Sequence, residues 1–554
     1  MNDKEIQKQA KEFYSQGMAY YNRGDYARVI EAFHKALELN PDDVRTCFNL
    51  GKACARKGDY AGAIKAFRKT LELMPDHAEA QYNLGLAHAE QDDHAAAIEA
   101  HRKAVELNPD YADAWYGLGL AYDKLGGHAT QAIEAYREVL RLEPRDADTY
   151  YNMGLIYCEQ GDIATAVEAF LKATGLKPGF VNAHYNLGIM YREQGDYIAA
   201  AKSFRKTLKL EPDHANAYRS LGGLYADRGD HVRSIEAYHK AIKVKPDDAN
   251  AYYNLASSYA KRGDHDAAIK AYRKVLELNP NDVDARNNLG IVYARQGDHD
   301  AAIDIYRKGL ELKPEDARLY YNLAVTYRDL SDYGTSIEMY RKALELKPDY
   351  AEAYNGLGVV LINRHKYVEA TEAYRKAIEL DPDHVEAWCN LGIVYGRCFN
   401  RAGEIKAFHK VLELRPVMDG IHRHLGILYY NEKDYARAIE LFLRAIELNP
   451  NDVEAYRGLG CTYSRQGNYA AGGESLHKAL KLKPGYVEAY DTLGVIHEKQ
   501  GNYAAAIELY HKVLQLNPKY ARAYFSLSRI YRKQGHYIAS IKAFYKTFKT
   551  AFGK

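Results

Sequence analysis

The prolines of this chain recur at a fixed spacing. Each lies 34 residues after the one before it, apart from Pro144, which follows Pro109 by 35. Because proline lacks a backbone N–H and clashes inside a helix, its recurrence at one position marks a boundary in each of many equivalent units. The spacing therefore predicts a repeat protein. The fifteen prolines are Pro41, Pro75, Pro109, Pro144, Pro178, Pro212, Pro246, Pro280, Pro314, Pro348, Pro382, Pro416, Pro450, Pro484 and Pro518.

With the proline at position 32 of each unit, the chain divides into sixteen repeats over residues 10–554. The extra residue of the fourth repeat falls in KLGGHATQ, where Gly126 and Gly127 predict a turn that accommodates an insertion. Residues 1–9 are predicted to form a helical N-terminal extension. The repeats are 10–43, 44–77, 78–111, 112–146, 147–180, 181–214, 215–248, 249–282, 283–316, 317–350, 351–384, 385–418, 419–452, 453–486, 487–520 and 521–554.

Each repeat has a helical pattern of apolar residues. Apolar or small side chains occupy positions 4, 7, 8, 11, 20, 24, 27, 28 and 30. Steps of three and four residues are typical of amphipathic helices, so each repeat is predicted to contain a helix A and then a helix B. A Gly-Asp or Gly-Asn pair between them, as at Gly161 and Gly195, predicts a left-handed residue that ends helix A and a cap that begins helix B.

Position 8 of helix A is glycine in thirteen repeats, although glycine inside a helix costs about 1 kcal/mol against alanine. We expect this cost to be offset by a close approach of helix B through the small residue at position 20. Aromatic rings at positions 11 and 24 are then expected to fill the space on either side. Most of the tyrosines are therefore predicted to be packing residues.

The whole pattern resembles the tetratricopeptide repeat, a helix-turn-helix unit of 34 residues. It has an aromatic residue at position 4, Leu-Gly at 7–8, Tyr at 11, Ala at 20, Phe or Tyr at 24, Ala at 27 and Pro at 32. The resemblance implies an all-α fold, an α-solenoid in which about sixteen units stack into a right-handed superhelix. It also implies that helix A lines the concave groove through positions 2, 5, 6, 9, 12 and 13.

Asparagine recurs at position 6 of eight repeats. One amide carries two donors and an acceptor, so a row of asparagines can pair with the backbone of an extended peptide. This row looks like the asparagine ladder in the tetratricopeptide arm of the O-linked N-acetylglucosamine transferases. The alternative is that these amides form local hydrogen bonds between helices. The predicted peptide-binding asparagines are Asn49, Asn83, Asn152, Asn186, Asn254, Asn288, Asn322 and Asn390.

Tyrosine at position 5 lies beside that row in many repeats. Half-exposed rings in a groove would grip aliphatic or proline side chains of a peptide. The alternative is that each ring packs on helix B of the preceding repeat. The predicted peptide-binding tyrosines are Tyr82, Tyr116, Tyr151, Tyr185, Tyr253 and Tyr321.

The last repeat is strongly basic: residues 519–554 contain nine Lys and Arg and no Asp or Glu. This repeat could dock on an acidic partner, on another copy of the chain, or on an anionic membrane surface. Alternatively it is a polar cap that solvates the end of the array. The candidate docking residues are Arg522, Arg529, Arg532, Lys533, Lys542, Lys546 and Phe552.

Repeats 12–14 are irregular. The turn GRCFNRAGE places Glu404 where other repeats have a small residue, and Gly472 and Gly473 weaken helix B of repeat 14. Three explanations of this irregular sequence stay open: a local kink in the array, a binding site specific to these repeats, and neutral sequence drift.

Composition gives no sign of catalysis. The 76 Lys and Arg balance 74 Asp and Glu, so no nucleic-acid partner is expected. Six cysteines without a CxxC pair predict reduced thiols, and neither a metal site nor a cofactor is expected. The sequence contains no motif for phosphate or dinucleotide binding and no apolar run long enough for a transmembrane helix. A cytoplasmic protein that is not an enzyme is expected.

The leading hypothesis is a non-catalytic scaffold that binds peptide segments or partner proteins along its groove. A second hypothesis is self-assembly into filaments or rings through the basic last repeat. A third is a substrate-recognition subunit for a glycosyltransferase-like enzyme encoded elsewhere. The identity of the partner is not predicted by the fold.

Overall fold

The apolar periodicity correctly predicts two helices in every repeat. The computed structural model describes residues 3–552, and the side chains of residues 3–550. Within that range the secondary structure is helical with no strand. The chain forms two units, Met1–Pro280 and Asn281–Lys554, and each is built from consecutive helix pairs. The all-α solenoid architecture expected from the repeats is confirmed in each unit.

The first unit contains helices α1 to α16, with odd numbers for helix A and even numbers for helix B. The first helix continues the N-terminal extension into helix A of repeat 1. The helices are α1 Asp3–Tyr21, α2 Tyr26–Leu39, α3 Val44–Lys57, α4 Tyr60–Leu73, α5 Ala78–Ala89, α6 His94–Leu107, α7 Ala112–Leu125, α8 Ala129–Leu142, α9 Ala147–Glu159, α10 Ile163–Leu176, α11 Val181–Glu193, α12 Tyr197–Leu210, α13 Ala215–Asp227, α14 His231–Val244, α15 Ala249–Arg262 and α16 His265–Leu278.

The second unit continues the same alternation. Its helices are α17 Val283–Gln296, α18 His299–Leu312, α19 Ala317–Asp329, α20 Tyr333–Leu346, α21 Ala351–Asn363, α22 Tyr367–Leu380, α23 Val385–Arg397, α24 Arg401–Leu414, α25 Asp419–Asn431, α26 Tyr435–Leu448, α27 Val453–Gln466, α28 Tyr469–Leu482, α29 Val487–Lys499, α30 Tyr503–Leu516, α31 Ala521–Lys533 and α32 Tyr537–Phe552.

The turn between the two helices has the expected chemistry. Gly161 has a φ of 76°, and the side chain of the next residue, Asp162, accepts a hydrogen bond of 3.1 Å from the backbone N–H of Thr165. A left-handed residue ends helix A, and an aspartate cap satisfies a free N–H at the start of helix B. The insertion also lies in this turn, where Gly126 and Gly127 have φ values of 74° and 70°.

Five repeats place a residue other than glycine in this left-handed position. An L-residue with positive φ is strained because its Cβ approaches the carbonyl oxygen. These turns therefore store backbone strain that the glycine turns avoid. The five residues are Asp92, Ser331, His365, Phe399 and Lys433, with φ values from 58° to 65°.

The glycine at position 8 makes room for the ring at position 24. The expected approach of position 20 is also present, since Ser336 and Ser540 each donate a hydrogen bond to the position-8 carbonyl oxygen of their own repeat, at 2.7 Å and 2.9 Å. A Cβ added to Gly154 would lie 2.6 Å from the ring of Phe170, and one added to Gly188 would lie 2.6 Å from the ring of Phe204. Both rings are fully buried. The gain that offsets glycine in helix A is therefore the burial of a large side chain of helix B.

The helix-A face as candidate binding site

The helix-A face consists of positions 5, 6, 9, 12 and 13 of each odd-numbered helix. At position 5, the half-buried ring of Tyr151 lies between two other rings. The centroid distances are 5.8 Å to Phe170 in helix B of the same repeat and 4.7 Å to Phe180, just before the next helix A. Tyr185 lies between Phe204 and His214 in the same way, at 5.9 Å and 4.9 Å.

In both cases the ring partner in helix B belongs to the tyrosine's own repeat. The remaining predicted tyrosines follow the same rule. Their partners at position 24 are His101 for Tyr82, Tyr136 for Tyr116, Tyr272 for Tyr253 and Tyr340 for Tyr321. Such packing fixes the ring, and the half-exposed edge is what remains for a ligand.

The asparagines at position 6 are joined to position 5 of the preceding repeat. The amide Nδ2 of Asn152 donates a hydrogen bond of 2.9 Å to the hydroxyl of Tyr116, and that of Asn186 donates one of 3.2 Å to Tyr151. Asn49 bonds Tyr14 at 3.1 Å. In the second unit the acceptors are asparagine oxygens: Asn322 bonds Asn287 at 2.7 Å, and Asn390 bonds Asn355 at 3.0 Å.

Five of the eight asparagines therefore form the local hydrogen bonds between helices that were the alternative to peptide binding, because one amide donor of each links neighbouring A helices. Asn83 instead donates to the backbone oxygen of Glu79, at 2.7 Å in its own helix. Asn288 is half-buried, and its Oδ1 accepts a long hydrogen bond of 3.4 Å from Asn287. A ladder that pairs with a peptide stays a prediction.

The helix-A face opens into a cavity of about 260 Å³ in repeats 6–8, named here the Arg219 cavity. Its position-5 residue, Arg219, turns away to the buried Asp248 at 2.9 Å, and Ser220 replaces asparagine at position 6. The loss of the ring and the amide leaves the space. Asn254, Ser257 and Lys261 line the cavity from helix A of repeat 8. Asn254, one of the predicted asparagines, thus faces a cavity.

The electrostatics of the Arg219 cavity depend on which of its charges are already paired. Arg219 neutralises Asp248, and Arg192 lies 2.7 Å from Asp227. Among the residues that the structure describes, no carboxylate lies within ion-pair distance of Lys261. The cavity therefore offers hydroxyl and amide groups beside one uncompensated cation, a set that suits a peptide backbone with an acidic group.

A second cavity of about 410 Å³ opens on the helix-A face of repeats 13–15, named here the Arg457 cavity. Arg457 replaces the ring at position 5 and lies 3.0 Å from Glu454, while Gly458 replaces the asparagine. A Cβ on Gly458 would lie 2.5 Å from the ring of Phe442, so the ring at position 24 excludes a side chain there. Both cavities therefore form where arginine and a small residue replace the usual aromatic–asparagine pair.

Asp491 lines the Arg457 cavity and is almost fully buried. Its carboxylate lies 3.3 Å from Arg522, but Oδ1 has no hydrogen-bond partner in the described part of the chain. Burial raises the pKa of this carboxyl, although Arg522 opposes the shift. A donor from a ligand would satisfy the remaining oxygen.

A second row of hydrogen bonds between repeats is a feature that sequence reasoning missed. Arg205 at position 25 donates to the hydroxyl of Tyr225 at position 11 of the next repeat, at 2.8 Å. His239 and Tyr259 form the same contact at 2.8 Å. The sequence signal for these hydrogen bonds is a basic residue that lies 20 residues before a tyrosine.

Glu404, the irregular residue of repeat 12, is buried and bonds His424 at 2.8 Å. His424 occupies position 6 of repeat 13 and packs on Phe408 with a centroid distance of 4.9 Å. The buried carboxylate of Glu404 therefore has a hydrogen-bond partner in the next repeat, where histidine replaces the usual asparagine at position 6. This pairing explains Glu404 as a packing residue.

The candidate docking residues of the last repeat divide into two groups. Arg522 and Arg529 neutralise the buried carboxylates of Asp491 and Glu498 in repeat 15, at 3.3 Å and 2.6 Å. The others lie at the surface. Lys533 stacks on Tyr503 at 5.8 Å, Lys546 stacks on Tyr524 at 5.5 Å, and Arg532 and Lys542 are exposed. The side chain of Phe552 lies outside the described residues.

The last helix does not carry the polar surface of a cap. Ile541, Phe544 and Tyr545 of α32 are 68%, 46% and 67% exposed.

In the described part of the chain, His, Cys, Asp and Glu side chains form no cluster of metal-binding size. Across residues 3–552, no helix combines the length and apolar composition needed to cross a bilayer.

Comparison with known proteins finds solved structures similar to parts of this chain. No curated protein matches the sequence. Among solved structures, MamA is 35% identical over 31% of this chain and 93% of its own, with a TM-score of 0.30. YrrB, described as a TPR protein with an unusual peptide-binding site, is 26% identical over 35% and 97%, with a TM-score of 0.32. Yeast Tom70 is 18% identical over 74% and 92%, with a TM-score of 0.35.

Family models for the tetratricopeptide repeat match along both units. The matched residues are 10–43, 43–110, 102–134, 127–161, 154–191, 185–249, 224–282, 253–317, 305–338, 326–363, 351–384, 373–406, 426–467, 453–486, 487–520 and 521–549. Together with the helix pairs and their glycine–ring packing, these matches show that the chain belongs to the tetratricopeptide repeat family.

Proposed function

We infer that this protein is a non-catalytic scaffold that binds extended segments of partner proteins on its helix-A face. The observation that carries this proposal is the Arg219 cavity, where positions 6, 9 and 13 of α15 present Asn254, Ser257 and Lys261 together. In α9 and α11 the corresponding asparagines bond the tyrosine of the preceding repeat. The polar groups of α15 lie at a cavity instead.

An extended segment fits this chemistry because its backbone alternates donors and acceptors that hydroxyl and amide side chains can satisfy. The cation of Lys261 adds a preference for segments with a carboxylate at the same point. The Arg457 cavity has a similar combination, with the Thr492 hydroxyl oxygen as an acceptor, because its proton is donated to the Glu488 carbonyl, and with Arg465 and Lys499 as cations. Each unit therefore carries one polar cavity on its helix-A face, and each cavity favours recognition of a short extended segment.

The test is to screen the full-length protein against an array of extended peptides, together with the triple variant Asn254→Ala, Ser257→Ala and Lys261→Ala. We expect the variant to bind the recovered peptides about 100-fold more weakly, since the loss of one charged and one neutral hydrogen bond is worth about 2.7 kcal/mol. The matched control is Lys270→Ala with Lys274→Ala, on helix B of the same repeat. Equal binding by all three proteins would contradict the proposal.

A further inference from the structure

The Arg457 cavity contains a thiol, that of Cys461 at position 9 of α27. The side chain is half-buried, and its Sγ lies 3.7 Å from the hydroxyl oxygen of Thr492 in α29. Because residues four apart in a helix share one face, Arg457 and Arg465 flank the cysteine on the side of the cavity. The sulfur therefore lies in a polar cavity between two guanidinium groups.

The cations around Cys461 outnumber the carboxylates. The charged residues that line the cavity are Arg457, Arg465, Lys499 and Arg522 against Glu488 and Asp491. Arg457 and Arg522 are each paired with a carboxylate, at 3.0 Å and 3.3 Å. Within residues 3–550, no carboxylate lies within ion-pair distance of Arg465 or Lys499. These two cations would attract an anionic ligand to the sulfur.

A second observation in the same cavity points to a ligand. Asp491 is 1% exposed, and its Oδ1 has no hydrogen-bond partner in the part of the chain that the structure describes. It occupies position 5, one helical turn before position 9, whereas Arg465 and Lys499 occupy position 13, one turn after it. The cavity therefore offers a hydrogen-bond acceptor on one side of the sulfur and two cations on the other.

The other cysteines lack this combination. Burial raises the pKa of Cys47, Cys54 and Cys158 to about 11, and it also raises the pKa of Cys389. A raised pKa makes a thiol less reactive, because the thiolate is the nucleophile. Cys398 is exposed in the turn between α23 and α24 and lines neither the Arg219 nor the Arg457 cavity.

We propose that Cys461 is a modification site that forms a mixed disulfide with a small anionic thiol of the glutathione type. Such a molecule has its sulfur in the middle, a carboxylate at each end and one ammonium group. The glycine carboxylate pairs with Arg465 and Lys499, and the ammonium donates to Oδ1 of Asp491. The cavity, of about 410 Å³, lies within the usual range of about 300–1,000 Å³ for small-molecule sites.

The reaction is a thiol–disulfide exchange with glutathione disulfide. The thiolate of Cys461 attacks one sulfur of the disulfide, and a new S–S bond forms as the old one breaks. The displaced glutathione thiolate leaves with the electron pair and takes up a proton, equivalent to the one that Cys461 loses. One protein thiol is oxidised and one glutathione sulfur is reduced, so the step needs no further oxidant.

The test adds glutathione disulfide to the reduced full-length Cys398→Ser protein and follows the adduct by intact mass and peptide mapping. The comparison disulfide is cystamine, which has an ammonium at each end and no carboxylate. The ratio of the two rates at Cys461, glutathione disulfide over cystamine, is expected to be about ten-fold higher in the folded chain than in urea. Using this ratio cancels the intrinsic difference in reactivity between the disulfides.

The exposed cations are tested with the double variant Arg465→Glu and Lys499→Glu, which should lower the ratio below its value in urea. The matched control, Lys270→Glu with Lys274→Glu on helix B of repeat 8, should keep the ratio of the unmodified chain. An equal ratio in the folded and unfolded chains would overturn the proposal. So would modification of other cysteines with none at Cys461.

The contact with Asp491 is tested by changing the ligand, so the protein needs no buried substitution. A glutathione disulfide analogue with glutaryl in place of γ-glutamyl loses the ammonium and becomes more anionic. Charge attraction alone predicts that it reacts faster, whereas loss of the hydrogen bond to Oδ1 predicts a reaction about ten-fold slower. We expect the slower reaction, and a faster one would overturn the proposal. Because the readout is the mass of the chain, this test is separate from peptide binding.

Discussion

The guanidinium of Arg529 lies 2.6 Å from Glu498, with its Nη2 on the carboxylate Oε2. Glu498 is 7% exposed and comes from α29, so the pair joins repeat 15 to repeat 16. A carboxylate at this depth needs a cation close to it, because water no longer solvates its charge. The basic character of the last repeat therefore has two origins: cations that hold the array together and lysines that face outward.

This division predicts different effects of Arg529→Ala and Lys546→Ala on the stability of the last repeat. Arg529→Ala leaves a buried carboxylate without its cation and should destabilise the last repeat by about 2 kcal/mol. Lys546→Ala removes an exposed cation and should change stability by less than about 0.5 kcal/mol. Hydrogen exchange of α31 and α32 measures both. If both variants exchange at the rate of the unmodified chain, the pair makes no contribution to stacking.

His101 should make the stability of repeats 3 and 4 depend on pH. It occupies position 24, is 1% exposed, and burial lowers its pKa to about 4. The imidazole is therefore protonated near pH 6.5 in the unfolded chain but only near pH 4 in the folded chain. The free energy of unfolding falls as the pH drops from about 6.5 to about 4, by up to about 3 kcal/mol. Above pH 6.5 this contribution is constant.

His101→Phe should remove that pH dependence, because an aromatic ring at position 24 is found in most other repeats. Urea unfolding can be followed through Trp115 in the next helix A, in a Trp388→Phe background. The unmodified chain should lose stability between pH 6.5 and 5 more steeply than the variant. Parallel curves for the two proteins would show that the buried imidazole is protonated in the folded state.

Gly188→Ala tests the glycine–ring packing against helix propensity. Propensity alone predicts a gain of about 1 kcal/mol, but the added Cβ would meet the ring of Phe204 at 2.6 Å. We expect a loss of about 2 kcal/mol from overpacking. Adding Phe204→Leu should not restore the loss, because in repeat 14 a Cβ on Gly460 would still lie 2.6 Å from the side chain of Leu476. Gly175→Ala, at an exposed helical site with no atom within 4 Å, should instead stabilise.

The periodic part of this structure was predictable because a one-dimensional array repeats its local rules. Steps of three and four residues, the Gly161–Asp162 turn and the inserted Gly126–Gly127 turn all follow from backbone chemistry within a few residues. Such features need no knowledge of how one repeat meets the next.

The contacts between repeats were less predictable. The sequence did not show that the nearest side chain to Gly154 is the ring of Phe170, since spacing does not state which way a side chain turns. Likewise, the asparagine row suggested a ligand, but Asn186 first satisfies Tyr151. Departures from the consensus were the more useful guide: Arg219 and Ser220 mark the place where a cavity opens.

Phe399 offers a test of strain in the turns between helices. Its φ of 58° lies in the left-handed region, and its side chain is 95% exposed, so no packing of the ring offsets the strain. Phe399→Gly should stabilise repeat 12 by about 1 kcal/mol, measured through Trp388 fluorescence in a Trp115→Phe background. Phe399→Ala is the control, because it removes the ring but keeps a Cβ at positive φ. If the alanine variant gains as much as the glycine variant, the cost arises from the exposed ring and the backbone is not the source.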